Sequence, residues 1–211
     1  HLICDAKNEK AVSRLREIKQ RDGRPFAVLF RDMENIRRYV SLNEVEEESL
    51  LSWRRPIVLL KQRRPLAPSI NPGMETLGCM LPYMPIHFDW FERLDTPALV
   101  MTSGNLSEYP IAITPEEAEK QLAGKVSLLL HHNRDIHNRV DDSVLQVCGD
   151  QPCLIRRSRG YVPEPFFADV PVEGILAFGA EKVNTFAVGK GETILQSQYI
   201  GDLKNWETYR F

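Results

Sequence analysis

The chain has 211 residues, of which 43% are hydrophobic and 27% charged, and it carries a formal net charge of −2. A chain of this length and composition folds around a sizeable core, and its charge balance excludes a general affinity for nucleic acid or anionic membranes, so any cationic site has to be local. No apolar run approaches the roughly 20 residues of a membrane helix.

The start, His1-Leu2-Ile3-Cys4-Asp5, has neither the basic nor the apolar region of a secretory leader and reads as the inside of a strand, as if excised from a longer chain. The expected compartment is the cytoplasm, with Cys4, Cys79, Cys148 and Cys153 reduced; none forms a C-x-x-C, although Cys148 and Cys153 face each other if residues 143–157 form a hairpin. Val12, Leu15 and Ile18 recur at helical spacing, with Asn8 as N-cap and Asp22-Gly23 as the stop. The helix end carries Lys19, Arg21 and Arg24, just before an apolar strand, Phe26 to Phe30. Cations there complement the helix dipole. A K-x-R pair also suits a triphosphate, lysine as a point charge and arginine as a bidentate fork.

Asp32 caps a short helix with Ile36 and Tyr39 or Val40 inward, and Asn43 with Glu46 forms a capping box ahead of Leu50 and Leu51. Ile57 to Leu60 reads as a buried strand, 61–76 as a long basic loop with the reach of a lid, and Leu77 to Leu81 as another strand. Pro85 opens a helix whose inner face is expected at Ile86, Trp90 and Leu94 with Phe91 beside them, and His87 reads as a partly buried structural histidine. The run Ala98 to Met101 is a buried strand that empties into Thr102-Ser103-Gly104-Asn105-Leu106-Ser107-Glu108-Tyr109-Pro110. Hydroxyls and an amide crowd this loop, and its glycine lets the backbone come close to a ligand or a neighbour. An Asn/Ser turn made for local hydrogen bonding would have the same composition.

Thr114-Pro115-Glu116-Glu117 starts the next helix, and Val126 to Leu130 reads as a buried strand running into His131-His132-Asn133-Arg134-Asp135-Ile136-His137-Asn138-Arg139. The histidines lack the tight spacing of a closed metal site. Arg139 and the pair Asp141-Asp142 precede Ser143 and Val144, which suits a salt-bridged strand start. A hairpin around Gly149-Asp150-Gln151-Pro152 leads to Arg156-Arg157-Ser158-Arg159-Gly160-Tyr161-Val162-Pro163. A proline-marked linker follows, then paired strands at 175–181 and 185–188, a turn at Gly189-Lys190-Gly191, and Ser197-Gln198-Tyr199-Ile200-Gly201-Asp202-Leu203.

The loop Thr102-Ser103-Gly104-Asn105-x-Ser107 resembles the T-S-x-N-x-S signature of the YrdC-like family, which makes acyl-adenylates from ATP, and Lys19-x-Arg21 resembles its K-x-R motif. The glycine before the asparagine, Pro110, the 139–144 and 156–163 stretches and Ser197 to Leu203 are closest to the HypF family of hydrogenase-maturation carbamoyltransferases. That resemblance implies an α/β fold: a YrdC-like twisted mixed β-sheet flanked by helices over residues 1–162 (first strand missing), a linker at 163–174, and at 175–211 the start of an actin-like carbamoyl-transfer domain, cut short at Phe211. Tyr199 departs from the histidine usual there, which puts that residue's role in doubt.

The resemblance further implies ATP-dependent formation of carbamoyl adenylate, a carbamate oxygen attacking the α-phosphorus, and passage of the carbamoyl group to the C-terminal cysteine of HypE. Lys19, Arg21, Ser103 and Asn105 are the expected catalytic residues, and with Thr102, Arg139, Ser143 and Arg157 they make up the expected ATP site. Asp141 or Asp142 would hold Mg²⁺, while zinc would belong only to upstream regions. Small-molecule partners would be ATP and carbamate, and a homodimer is left open. Two other readings are a threonylcarbamoyl-AMP synthase in tRNA modification and a nucleotide- or double-stranded-RNA-binding module; Gly104, Pro110 and the 175–203 segment oppose the first, and the intact K-x-R with S-x-N, together with the acidic charge balance, opposes the second.

Overall fold

The computed structural model describes residues 1–21, 23–107, 109–204 and 206–210, the side chain of Glu207 excepted. The helix stop expected at Asp22 and the loop position Glu108 therefore lie outside the described residues. The chain forms two compact units, one of residues 1–107 with 144–155 and the other of 108–143 with 156–211.

The first unit runs β1 (Leu2–Asp5), α1 (Glu9–Lys19), β2 (Ala27–Phe30), α2 (Met33–Tyr39), β3 (Val40–Ser41), α3 (Glu44–Leu51), β4 (Ile57–Gln62), β5 (Thr76–Met80), α4 (Pro85–Arg93), β6 (Ala98–Thr102), β7 (Val144–Cys148) and β8 (Gln151–Arg156). The strands form one sheet in the order β1-β6-β2-β5-β4-β7-β8, with β3 added to β4. It is mixed: β2 and β5 are parallel, as are β4 and β7, while β1/β6, β2/β6 and β4/β5 are antiparallel. The helix starts follow from local chemistry, since the side chains of Asn8, Asp32 and Asn43 each accept a backbone N–H from the first turn. Asn43 and Glu46 close a full capping box.

Helix α4 lays Phe91 against Leu29, Met80, Leu99 and Met101, the core of one sheet face. Its buried side chains are His87 and the expected Phe91; Trp90 is partly buried against the same core, and Ile86 is only half-buried. The helix ends at Arg93, so Leu94 is its cap and lies exposed. Helices α1, α2 and α3 pack against β1, β2 and β4 respectively. The 61–76 loop is no lid. Leu66, Ala67, Ile70 and Asn71 are buried, and Pro68–Ile70 makes a 3₁₀ turn. Ala67 N–H donates to Ala6 O at 3.1 Å, and the Asn71 amide ties the loop base to Gln62 and Thr76.

In the second unit, α5 (Pro115–Leu122) starts on Thr114, whose hydroxyl accepts the Glu117 N–H. A small antiparallel sheet has the order β10-β11-β12-β9, from β9 (Phe166–Phe167), β10 (Leu176–Phe178), β11 (Phe186–Lys190) and β12 (Thr193–Gln196), and α6 (Trp206–Tyr209) follows. Strand β11 runs through Lys190, so the turn is at Gly191-Glu192. Residues 126–130 form no strand. The N–H groups of Lys125 and Val126 fold back on Leu122 O, and Leu128 and Leu130 are 80% and 63% exposed. An apolar run becomes a strand only when a neighbouring strand takes up its backbone groups, and among the described residues none does so here.

Candidate functional site

Sheet register decides which loops meet. Because β2 and β6 are antiparallel with Ala27 opposite Met101, the chain entering β2 lies at the same end of the sheet as the loop leaving β6. The end of α1 and the Thr102–Ser107 loop therefore share one corner. Helix α1 buries Val12, Leu15 and Lys19, a lysine occupying the third slot of the apolar stripe in place of the expected Ile18. The Lys19 ammonium donates to Ser103 O (3.0 Å), Ser103 Oγ (3.2 Å), Asn105 O (2.7 Å) and Asn105 Oδ1 (2.8 Å). Three ammonium protons thus serve four oxygens, and the loop is wrapped on a single cation.

Gln20 closes α1 in the left-handed region (φ 46°, ψ 46°), its N–H donating to Arg16 O and Glu17 O. The reversal carries Arg21 back towards β6. Its Nη1 donates to Thr102 Oγ1 at 3.3 Å, and its guanidinium lies 5.2 Å from the centre of the Phe26 ring. Gly104 is buried, and a Cβ there would stand 3.0 Å from the His1 nitrogen, so this glycine seats the loop beside β1. His87 is fully buried; Tyr83 N–H donates to its Nδ1 at 3.4 Å, and the two rings meet edge-on at 4.6 Å. A shallow concavity of about 560 Å³ is lined by Trp53, Tyr83, Phe88 and neighbours, and none of Lys19, Arg21, Thr102, Ser103 or Asn105 lines it.

Five of the expected residues, Lys19, Arg21, Thr102, Ser103 and Asn105, are thus brought together in the first unit. The others lie in the second unit, each held by partners there. Arg139 Nε donates to Ile111 O at 2.8 Å and its Nη2 approaches Glu117 at 3.5 Å. Ser143 is fully buried; its hydroxyl donates to Arg159 O (2.9 Å) and accepts the Ser158 N–H (2.8 Å). Arg157 donates to Glu164 O and stacks on Phe166. Asp141 faces Arg156 at 3.6 Å and Asp142 faces Arg159 at 2.8 Å. Carboxylates already turned onto guanidinium groups are a poor donor set for a divalent cation, and the described residues hold no group of three or more metal-ligating side chains.

One contributor was missed from the sequence: Arg16. Its guanidinium binds the carbonyls of Ser69, Ile70, Arg21 and Arg24, and nothing in a lone arginine on a helix signals such a role.

The family model described as "Telomere recombination", Sua5/YciO/YrdC, matches residues 1–158. The chain belongs to the Sua5/YciO/YrdC family. A second model, the HypF Kae1-like domain, matches residues 171–211, so a YrdC-like region is followed by Kae1-like sequence. Carbamoyltransferase HypF of Rhizobium leguminosarum bv. viciae is 41% identical over 218 aligned residues, covering 100% of this chain and 29% of that protein. A crystal structure of full-length HypF in the phosphate- and nucleotide-bound form superposes with a TM-score of 0.94 at 45% identity, covering 100% of this chain and 28% of that one. A threonylcarbamoyl-AMP synthase of Pseudoalteromonas atlantica is 31% identical over 134 residues, covering 61% of this chain and 71% of that protein. The chain spans under a third of the length of the HypF relatives it matches. Among the described residues no helix is long and apolar enough to cross a membrane.

Proposed function

We propose that this YrdC-family chain is the adenylate-forming part of a HypF-type carbamoyltransferase. In this reading residues 1–162 bind ATP, 163–174 link, and 175–211 open the carbamoyl-transfer domain. A carbamate oxygen attacks the α-phosphorus, the bond from that phosphorus to the bridging oxygen breaks, and pyrophosphate leaves. The cysteine thiol at the C-terminus of HypE then takes the carbamoyl group, giving up its proton as the carbonyl carbon–oxygen bond to the phosphate breaks and AMP leaves. The observation that carries the reading is the Lys19 ammonium gathered with Ser103 and Asn105 at the carboxyl end of β6, with Arg21 alongside.

Charge builds on the leaving phosphates, so fixed cations are what the step needs most. Lys19 and Arg21 supply them, and Arg139 and Arg157 are the further arginines assigned to phosphate. Lys19 meets the triphosphate by exchanging some of its loop oxygens for phosphate oxygens. Ser103 and Asn105 orient the acyl group by hydrogen bonding, Thr102 belongs to the ATP contacts, and Ser143 fixes the backbone around Ser158 and Arg159. Magnesium travels with the nucleotide; with Asp141 and Asp142 engaged by arginines, no step is assigned to it.

Whole-chain similarity to HypF, against 61% coverage by the threonylcarbamoyl-AMP synthase, favours carbamate over threonine plus bicarbonate as the source of the acyl group. The test is pyrophosphate release in the presence of ATP and carbamate, by wild type and by Asn105→Ala. Carbamate-dependent release that falls at least a hundredfold in the variant supports the assignment, on the scale of losing one oriented transition-state donor. Equal release by both refutes the site.

A further inference from the structure

We infer that Arg16 is a positioning residue that sets the Lys19-Gln20-Arg21 corner, an inference resting on the nucleotide site proposed above. Its guanidinium uses the full fork. Nε donates to Ser69 O at 3.0 Å, Nη2 to Ser69 O and to Ile70 O at 3.3 Å, and Nη1 to Arg21 O at 2.7 Å and Arg24 O at 3.1 Å. Its flat face lies 4.8 Å from the centre of the Phe26 ring. Its own carbonyl accepts the Arg21 N–H at 3.2 Å. Both backbone groups of Arg21 are therefore held by the same residue, one by its main chain and one by its side chain.

The Phe26 ring is 1% exposed and is shared: Arg16 and Arg21 both lie over it. Phe26 N–H in turn donates to Ile70 O at 2.8 Å, which locks the start of β2 to the same 3₁₀ turn that Arg16 grips. Four parts of the chain are thus tied at one point: the end of α1, Arg21 with Arg24, the start of β2 and residues 68–70. The site cation Arg21 emerges from that tie with its peptide fixed and one face stacked, which directs its Nη1 to Thr102. A lysine at position 16 would keep the charge but has no planar fork to span carbonyls from two segments.

Arg16→Lys separates three roles. If Arg16 positions the corner, the variant folds, the Arg21 amide loses hydrogen-exchange protection, and ATP binding to the intact protein, measured by calorimetry below the unfolding transition, weakens roughly ten- to a hundredfold, the penalty of a misplaced group. If Arg16 served only overall stability, the unfolding midpoint would drop while ATP affinity and Arg21 protection stayed at wild-type values. If it acted only as a charge near phosphate, Arg16→Lys would bind ATP as wild type does. Either of the last two results overturns the inference. Phe26→Leu gives a second route should Arg16→Lys fold poorly: it removes the shared stacking face, and unchanged ATP affinity there would also count against the tie. Arg21→Ala separates the two levels of the argument. Wild-type ATP affinity in that variant would discard the nucleotide site itself, whereas weakened binding in Arg21→Ala beside normal binding in Arg16→Lys would discard the Arg16 role alone.

Discussion

Lys19 carries the sharpest energetic consequence. Its ammonium is 2.8 Å from Asn105 Oδ1 and 2.7 Å from Asn105 O, and the residue is 6% exposed. A hydrogen bond to a charged group contributes about 1.5–3 kcal/mol. Asn105→Ala deletes one such acceptor, Oδ1, and keeps the backbone oxygen. Lys19→Met deletes the cation while keeping an apolar stem to fill the buried slot on α1. A double-mutant cycle of wild type, Lys19→Met, Asn105→Ala and the double variant, read by urea unfolding, isolates the single Nζ–Oδ1 contact. The expected coupling is about 1.5–3 kcal/mol, with the double variant less destabilised than the sum of the singles. Additivity within about 0.5 kcal/mol would refute the reasoning, because the two side chains would then act independently.

Other outcomes follow from the same geometry. Glu9 accepts hydrogen bonds from the Ser69 hydroxyl and N–H and from Ser13, and these hold its carboxyl below the usual range, the Ser69 hydroxyl contributing most. A carboxyl depressed in the folded state stabilises above its unfolded pKa and loses that contribution as pH falls through the folded value. Wild type should therefore exceed Glu9→Gln in urea midpoint at neutral pH, with the gap closing in acid; a gap that widens in acid would contradict the sign. Burial, with Asp5 adding, pushes the Cys4 thiol up to about 12, and burial raises Cys79 as well, while Cys148 and Cys153 are exposed. Mass spectrometry after mild alkylation of the folded protein should find Cys148 and Cys153 modified and Cys79 modified only after denaturation; early labelling of Cys79 would contradict its burial. Leu29→Ala, in the centre of the sheet, should cost about 2–5 kcal/mol. Leu128→Ala, on the exposed segment first read as a strand, should stay within about 0.5 kcal/mol in the same urea assay; a loss at Leu128 matching that at Leu29 would restore the strand.

The parts legible in the sequence were those with local causes. Asn8, Asp32, Asn43 and Thr114 each cap a helix through an atom on the residue itself and an N–H three positions on, so spacing alone exposes them. The strands around Val28, Val58 and Val100 were legible because continuous apolar runs suit a sheet buried on both faces. What failed was tertiary. Nothing in Val126 to Leu130 says that no strand will pair with it, and the composition of α4 does not say that His87 is buried more fully than Ile86. The site showed the same division. Thr102, Ser103 and Asn105 stood out by crowding, and Lys19 and Arg21 by motif. Their meeting depends on the antiparallel pairing of β2 with β6, which no local signal reports. Arg16 was invisible because its partners at Ser69 and Ile70 are more than fifty positions away in the chain.

The most direct measurement is the identity of the acyl-adenylate formed by the intact protein, read by mass spectrometry after incubation with ATP and either carbamate or threonine plus bicarbonate. Carbamoyl adenylate in the first mixture, lost in Lys19→Met, is the predicted result. Threonylcarbamoyl adenylate in the second mixture, with nothing formed in the first, would contradict the account and assign the same corner to threonylcarbamoyl-AMP synthesis.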